Sequence, residues 1–190
     1  MGTFEIVDLT LELTPKLPFQ EEEFLSIREF SKSVEKIELS SITGTYIEFT
    51  YDEFPKDFLI REAVVLDITD IWLKDIITEA RFENIYIEEG SGIILKSKWY
   101  SRWTSGEIKV DPPILSIPAC EVLIKNKIKF LGTDFPLSKE ARELLLSKDI
   151  ILIHNLYNLL ALKKNKVLLI IAPLNIKGIK RIPARVFALQ

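Results

Sequence analysis

A mixed α/β layered fold is predicted by three features of the sequence. The first half reads mostly as short alternating strands, whereas the second half alternates strands with short helical segments. Runs such as Ala63-Val64-Val65-Leu66 are uninterruptedly apolar, as in strands covered on both faces. With 190 residues the chain is long enough for one full core and cramped for two, so a single domain over residues 1–190 is expected.

Glu5 to Leu9 alternates and starts as a strand, which Leu11-Glu12-Leu13 continues until Pro15 and Pro18 stop the pattern. Gln20 to Glu23 is an acidic patch that reads as a solvated loop or helix start. Glu35 to Leu39 alternates again and leads into Ile42-Thr43-Gly44-Thr45-Tyr46-Ile47-Glu48. As a strand, that segment places Ile42, Gly44, Tyr46 and Glu48 on one face. Ala63 to Asp67 is a covered strand, and Leu73 to Asn84 is a weaker helical or loop segment. Gly90-Ser91-Gly92 turns into the strand Ile93 to Lys96, followed by the aromatic group Trp99, Tyr100 and Trp103. That group suits a pocket wall or, more simply, core or subunit interface.

Pro118 marks a helix start with Val122 and Leu123 on the buried side. Ile128 to Gly132 is a strand, and Asp134 is expected to shape a turn with Pro136. Ser138 caps a helix running to about Ser147, whose early acidic residues suit the positive end of the helix dipole. Strand Ile150 to Ile153, a short helix from Leu156 to Ala161, strand Val167 to Ile171 and strand Ala184 to Leu189 complete the chain.

Hydrophobic residues make up 47% and charged residues 28%, a soluble globular mix and not a disordered one. The net charge of -3 carries no basic block, so neither nucleic acid nor an anionic membrane is an expected partner. The lone Cys120 excludes an internal disulfide and reads as a small buried apolar residue in a reducing compartment. The start lacks a signal-peptide pattern, and the longest apolar stretch, Val167 to Ile176, falls short of the roughly 20 residues that span a bilayer. A cytoplasmic protein is expected. Abundant Ile, Lys and Glu with only two Gln point to a heat-adapted source. No phosphate loop, nucleophile elbow or dinucleotide fingerprint is present.

Several segments, taken in order, resemble one family. Asp8-Leu9-Thr10 resembles an opening Asp-Leu-Ser, Gly92 to Trp99 resembles a G-D-x-V-L-x-x-T-G-W strand, and Gly132 to Pro136 resembles G-I-D-x-P-S. His154-Asn155-Leu156-Tyr157-Asn158-Leu159 resembles E-N-L-T-N-L. Ala172-Pro173-Leu174 with Pro183 to Val186 resembles A-L-P-L followed by S-P-V-R-A. These are segments of the cyclase family that includes the bacterial kynurenine formamidases, or arylformamidases. The resemblance implies a swivelling β/β/α three-layer fold with a mixed sheet, and assembly into dimers or larger homo-oligomers.

It also implies a metal site. The family binds one or two divalent ions, usually zinc or manganese, through H-x-G-T-H-x-D-x-x-x-H, and hydrolyses formamides or related amides. The chemistry needs ligands that leave a coordination position open, so that bound water is acidified. Here Gly44 and Thr45 remain, but the histidine positions fall on Ile42, Tyr46 and Asp52 and the aspartate position on Glu48. A further ligand histidine falls on Arg142, and the glutamate of the E-N-L segment is His154.

Three readings follow. In one, the guanidinium of Arg142 takes the place of the lost cation and pairs with Glu48 or Asp52. In another, Arg142 points to solvent and both carboxylates face water. In the third, Glu48, Asp52 and His154 form a rebuilt site for Zn or Mn, with Asp52 as a weak catalytic candidate. The plain expectation for His154 is a strand-end residue hydrogen-bonded to backbone. No metal is expected, and the chain reads as a non-catalytic family member that binds a small ligand or partners an active paralogue. The competing reading is an active formamide hydrolase.

Overall fold

The computed structural model describes residues 4–14, 25–71, 74–104 and 111–190; Gln20 to Glu23 and the side chain of Trp103 lie outside the described residues. In chain order the strands and helices are β1 (Ile6–Asp8), β2 (Leu25–Ser31), β3 (Val34–Leu39), β4 (Tyr46–Glu48), β5 (Ile60–Asp67), β6 (Ile76–Ile77), β7 (Gly92–Lys96), α1 (Trp99–Thr104), β8 (Ile114–Leu115), α2 (Ile117–Lys125), β9 (Phe130–Thr133), α3 (Lys139–Leu146), β10 (Ile151–His154), β11 (Lys166–Pro173) and β12 (Arg181–Leu189).

Eight strands form one mixed sheet in the order β1-β12-β11-β5-β7-β9-β10-β4. β5, β7, β9 and β10 run parallel to their neighbours in that series, and the other pairings are antiparallel. A further pairing of β4 with β12 closes the sheet into a barrel-like ring. Along β12, β11 lies on one side, while β4 and then β1 share the other, where Ala184 N donates to Thr45 O and Val186 O accepts from Leu9 N.

Strand alternation divides the buried residues into two cores. Inside the ring Ile94, Phe130, Ile151, Ile153, Val167 and Leu169 meet. Outside it Ile93, Leu95, Leu131 and Leu152 meet Ala119, Cys120 and Leu123 of α2 and Ala141 and Leu145 of α3. This is why β7 reads as an unbroken apolar run: both of its faces are covered. Helix starts follow local chemistry, with Ser116 Oγ accepting from Ala119 N and Ser138 Oγ from Ala141 N, each at 3.2 Å. Cys120 is fully buried, and burial pushes its thiol up to about 11.

The structure departs from the sequence reading at several points. Only Tyr46 to Glu48 of the 42–48 segment is a strand. Before it the chain turns, with Thr43 N bonded to Ser40 O and Gly44 at φ 64°. Leu11 to Leu13 is not a strand either, because the Leu11 N–H is taken by Thr45 Oγ1 at 2.9 Å and not by a strand neighbour. Leu156 to Ala161 forms only one tight turn, at Leu159–Ala161, after Asn158 adopts φ 56°. β2, which pairs with β3 in a hairpin of its own, and the short pair β6–β8 carry no sequence signal strong enough to predict.

Asp134 does more than shape a turn. It is 3% exposed, accepts from Ser97 Oγ at 2.6 Å, and receives backbone N–H groups of Ser97 and Tyr100. Trp99 and Tyr100 belong to the outer core, with Tyr100 edge-on to Tyr157 at 5.1 Å.

Candidate functional site

β4 is the short strand on which the site is built. Its pairing with β10 sets His154 opposite Tyr46, and its pairing with β12 sets Arg181 opposite Glu48. Period-two alternation then gives Tyr46 and Glu48 a common face. There the Tyr46 and His154 rings stack, with centroids 4.5 Å apart and 18° between planes.

The loop before β4 is fixed by the residues the family resemblance singled out. Thr45 Oγ1 donates to Asn155 O at 2.7 Å, and Asn155 Nδ2 donates to Gly44 O at 2.9 Å. Asn155 and Gly44 both have positive φ, a conformation Gly adopts freely and Asn tolerates best among larger residues. Gly44-Thr45 and Asn155 are therefore two halves of one clasp.

Glu48 is 5% exposed, and both of its oxygens are engaged. Oε1 accepts from Arg142 Nη1 at 2.6 Å and from Arg181 Nε at 2.7 Å, and Oε2 lies 3.2 Å from His154 Nε2. Burial opposes ionisation of Glu48, but the hydrogen bonds from His154 and Arg181 and the Arg181 charge outweigh it and hold the carboxyl at about 2. A carboxylate only accepts, so the contact assigns a proton to His154 Nε2. Burial lowers the His154 pKa, against the pull of Glu48, and favours the neutral ring. Burial and the neighbouring Glu48 push the Tyr46 phenol up to about 12, so it is protonated at neutral pH.

Of the residues singled out from the sequence, Tyr46, Glu48, Arg142 and His154 come together, and Asp52 does not. The Asp52 side chain is fully exposed and pairs with Lys180 Nζ at 3.3 Å. It borders a groove of about 610 Å³ lined by Phe49, Phe54 and Ile179, among others. This corrects the rebuilt three-ligand reading: the chain leaves β4 at Glu48, so Asp52 no longer shares its face. Ile42 sits half-buried in the preceding turn. His154 bonds a carboxylate and not backbone, contrary to the plain expectation for it. Arg142 reaches Glu48, its side chain 25% exposed, and does not point to open solvent.

Arg181 escapes sequence reasoning altogether. Its partner is 133 positions away, and only the β4–β12 register brings them together. A final strand read as beginning at Ala184 leaves it in a loop.

The donor set does not fit a dication. Ile42 has no ligand atom, Tyr46 is a protonated phenol, and two permanent cations occupy one oxygen of Glu48 while His154 faces the other. Among the described residues no group of three or more His, Cys, Asp or Glu side chains stands together as a metal site. No described helix is long and apolar enough to cross a membrane.

The same arrangement of elements occurs in solved structures. The chain superposes with TM-score 0.85 on a predicted metal-dependent hydrolase from Bacillus stearothermophilus, at 19% identity, covering 99% of both chains. Isatin hydrolase A from Labrenzia aggregata bound to benzyl benzoate gives TM-score 0.85 at 23% identity, covering 98% of this chain and 93% of that one. An isatin hydrolase bound to the product analogue thioisatinate gives 0.84 at 20% identity, with 98% and 92% coverage. None of the curated proteins matches the chain. A family model described as "Putative cyclase" matches residues 7–141, ending just before Arg142. That match covers the greater part of the sequence and takes in β4 with its Gly44-Thr45 lead, and the chain belongs to this cyclase family.

Proposed function

We propose that this chain is a non-catalytic cyclase-family protein in which paired guanidinium groups stand where relatives place a metal, and that the site now serves to hold a small ligand. One observation carries the reading: Glu48, at the family's aspartate-ligand position, spends one oxygen on Arg142 and Arg181 together. A dication brought to the same oxygen would meet two fixed positive charges. The experiment is incubation with Zn²⁺ or Mn²⁺, gel filtration and elemental analysis, with hydrolysis of N-formylkynurenine followed in parallel. The expected result is no retained metal and no turnover. Stoichiometric metal lost in Glu48→Ala, accompanied by turnover, would overturn the proposal in favour of an active hydrolase.

A separate observation favours a role in a homo-oligomer. In the β2–β3 hairpin only Leu25 is buried, and one face presents the cross-strand pairs Leu25–Leu39 and Ile27–Ile37 followed by Glu29–Glu35. Ile27 is 52% and Ile37 59% exposed, a poor arrangement for a hairpin left alone in water. Two glutamates directly opposed also repel. One groove beside Leu174, Ile176 and Ile179 carries Lys56 and Lys177 together with Asp52 and Glu53, and a second lies between those apolar residues and Ile37 and Leu39 of the hairpin itself. The exposed apolar face of the hairpin would be covered by the same face of a second copy in a reciprocal two-fold arrangement. Light scattering on the wild type should give a dimer, and Ile27→Asp with Ile37→Asp a folded monomer. A monomeric wild type at micromolar concentration would sink the idea.

A further inference from the structure

Arg142 and Arg181 converge on a single carboxylate oxygen, so the cluster carries two permanent positive charges and one negative charge. His154 adds no negative charge in either protonation state, and the Tyr46 phenol is a neutral donor. The excess is at least one positive charge, and it is not sealed off: the Arg181 side chain is 44% exposed and that of Arg142 25%. Each guanidinium has five N–H donors in a planar fork, and the bonds to Glu48 are the only side-chain hydrogen bonds either makes among the described residues. Half-buried Tyr46 lies on the same face of β4 as Glu48, beside these donors.

Fixed forks with spare donors and uncompensated charge match a planar oxyanion, which they grip bidentately where an ammonium ion would offer only a point charge. Resting on the metal-free reading given above, we infer that the ligand of this site is a small organic carboxylate. Its oxygens are held by Arg181 and Arg142, while Glu48 keeps the two guanidiniums together by accepting from both. Glu48 is thus a positioning residue: it anchors both guanidiniums without touching the ligand.

The test is calorimetric titration of EDTA-treated protein with benzoate as the probe carboxylate and benzamide as its uncharged counterpart. Benzoate should bind saturably, and benzamide at least about tenfold more weakly. Arg181→Gln, at a partly exposed position where folding is readily checked by circular dichroism, should weaken benzoate by about tenfold or more, with Arg181→Lys falling between. Equal binding of benzoate and benzamide, or unchanged affinity in folded Arg181→Gln, overturns the assignment. If the treated protein binds neither metal nor benzoate, this inference fails and the metal-free reading stands. If benzoate binds only after Zn²⁺ or Mn²⁺ is restored, both fail.

Discussion

Arg142 Nη1 stands 2.6 Å from Glu48 Oε1, joining helix α3 to strand β4 across 94 positions of sequence. The pair makes stability depend on acid in a defined direction. The Glu48 carboxyl is held at about 2 in the fold against an ordinary 4.5, so its contribution is complete above 4.5 and is lost as pH falls toward 2. His154, whose pKa the fold lowers, contributes with the same sign, present above its ordinary 6.5 and lost as pH falls. Urea titrations from pH 7 to pH 2 should show this acid limb in the wild type. Glu48→Gln should be destabilised by about 3 kcal/mol at pH 7 and much flatter between 4.5 and 2.

The two arginines share one acceptor, so their effects should not add. Arg142→Met or Arg181→Met alone leaves Glu48 one guanidinium, and each should cost no more than about 2 kcal/mol. The double variant leaves the carboxylate with His154 alone. It should cost more than the two single changes together, with a coupling of about 1 kcal/mol or more. Chemical denaturation of the four proteins measures the cycle, and strict additivity would mean that the arginines act on Glu48 independently.

Gly92 and Phe130 are register partners on β7 and β9, and a Cβ at Gly92 would lie 2.1 Å from the Phe130 ring. Phe130 is fully buried inside the ring, so the clash has no escape to solvent. Gly92→Ala should cost about 3 kcal/mol by overpacking. Phe130→Leu in the same chain should recover part of that loss, although Phe130→Leu alone is destabilising. Thermal melts of the three variants test the relationship.

Asp134 should behave oppositely to Glu48. Burial pushes its carboxyl up to about 6, against the hydrogen bonds from Ser97 and the Ser97 and Tyr100 backbone. A folded pKa above the ordinary 3.8 means that its contribution is complete below 3.8 and is lost as pH rises through 6. Relative to Asp134→Asn, the wild type should therefore lose stability between pH 4 and pH 7. Paired melts at the two pH values, with unchanged far-ultraviolet dichroism, would measure the difference.

How much of this was legible in the sequence depended on the range of the interaction. The Ser138 cap, strand β7 and the mixed α/β class followed from local pattern, because a cap acts within a turn and a strand pattern within a few residues. The clasp between Gly44-Thr45 and Asn155 was visible as two separate motifs, each set by a backbone conformation that few residues tolerate. Tyr46, Glu48, Arg142 and His154 could be named in advance through the family frame. Arg181 could not, since nothing near it in the chain marks it as a partner of Glu48. Asp52 was placed by the family frame alone, and β4 ends at Glu48, before it.

β12 is the common neighbour of β1, β4 and β11, and its nine residues come from the last tenth of the sequence. Arg181 rides on the same strand. During synthesis, therefore, neither the ring nor the second guanidinium beside Glu48 can form until residues 181–189 have left the ribosome, and the half-made sheet must wait with open edges.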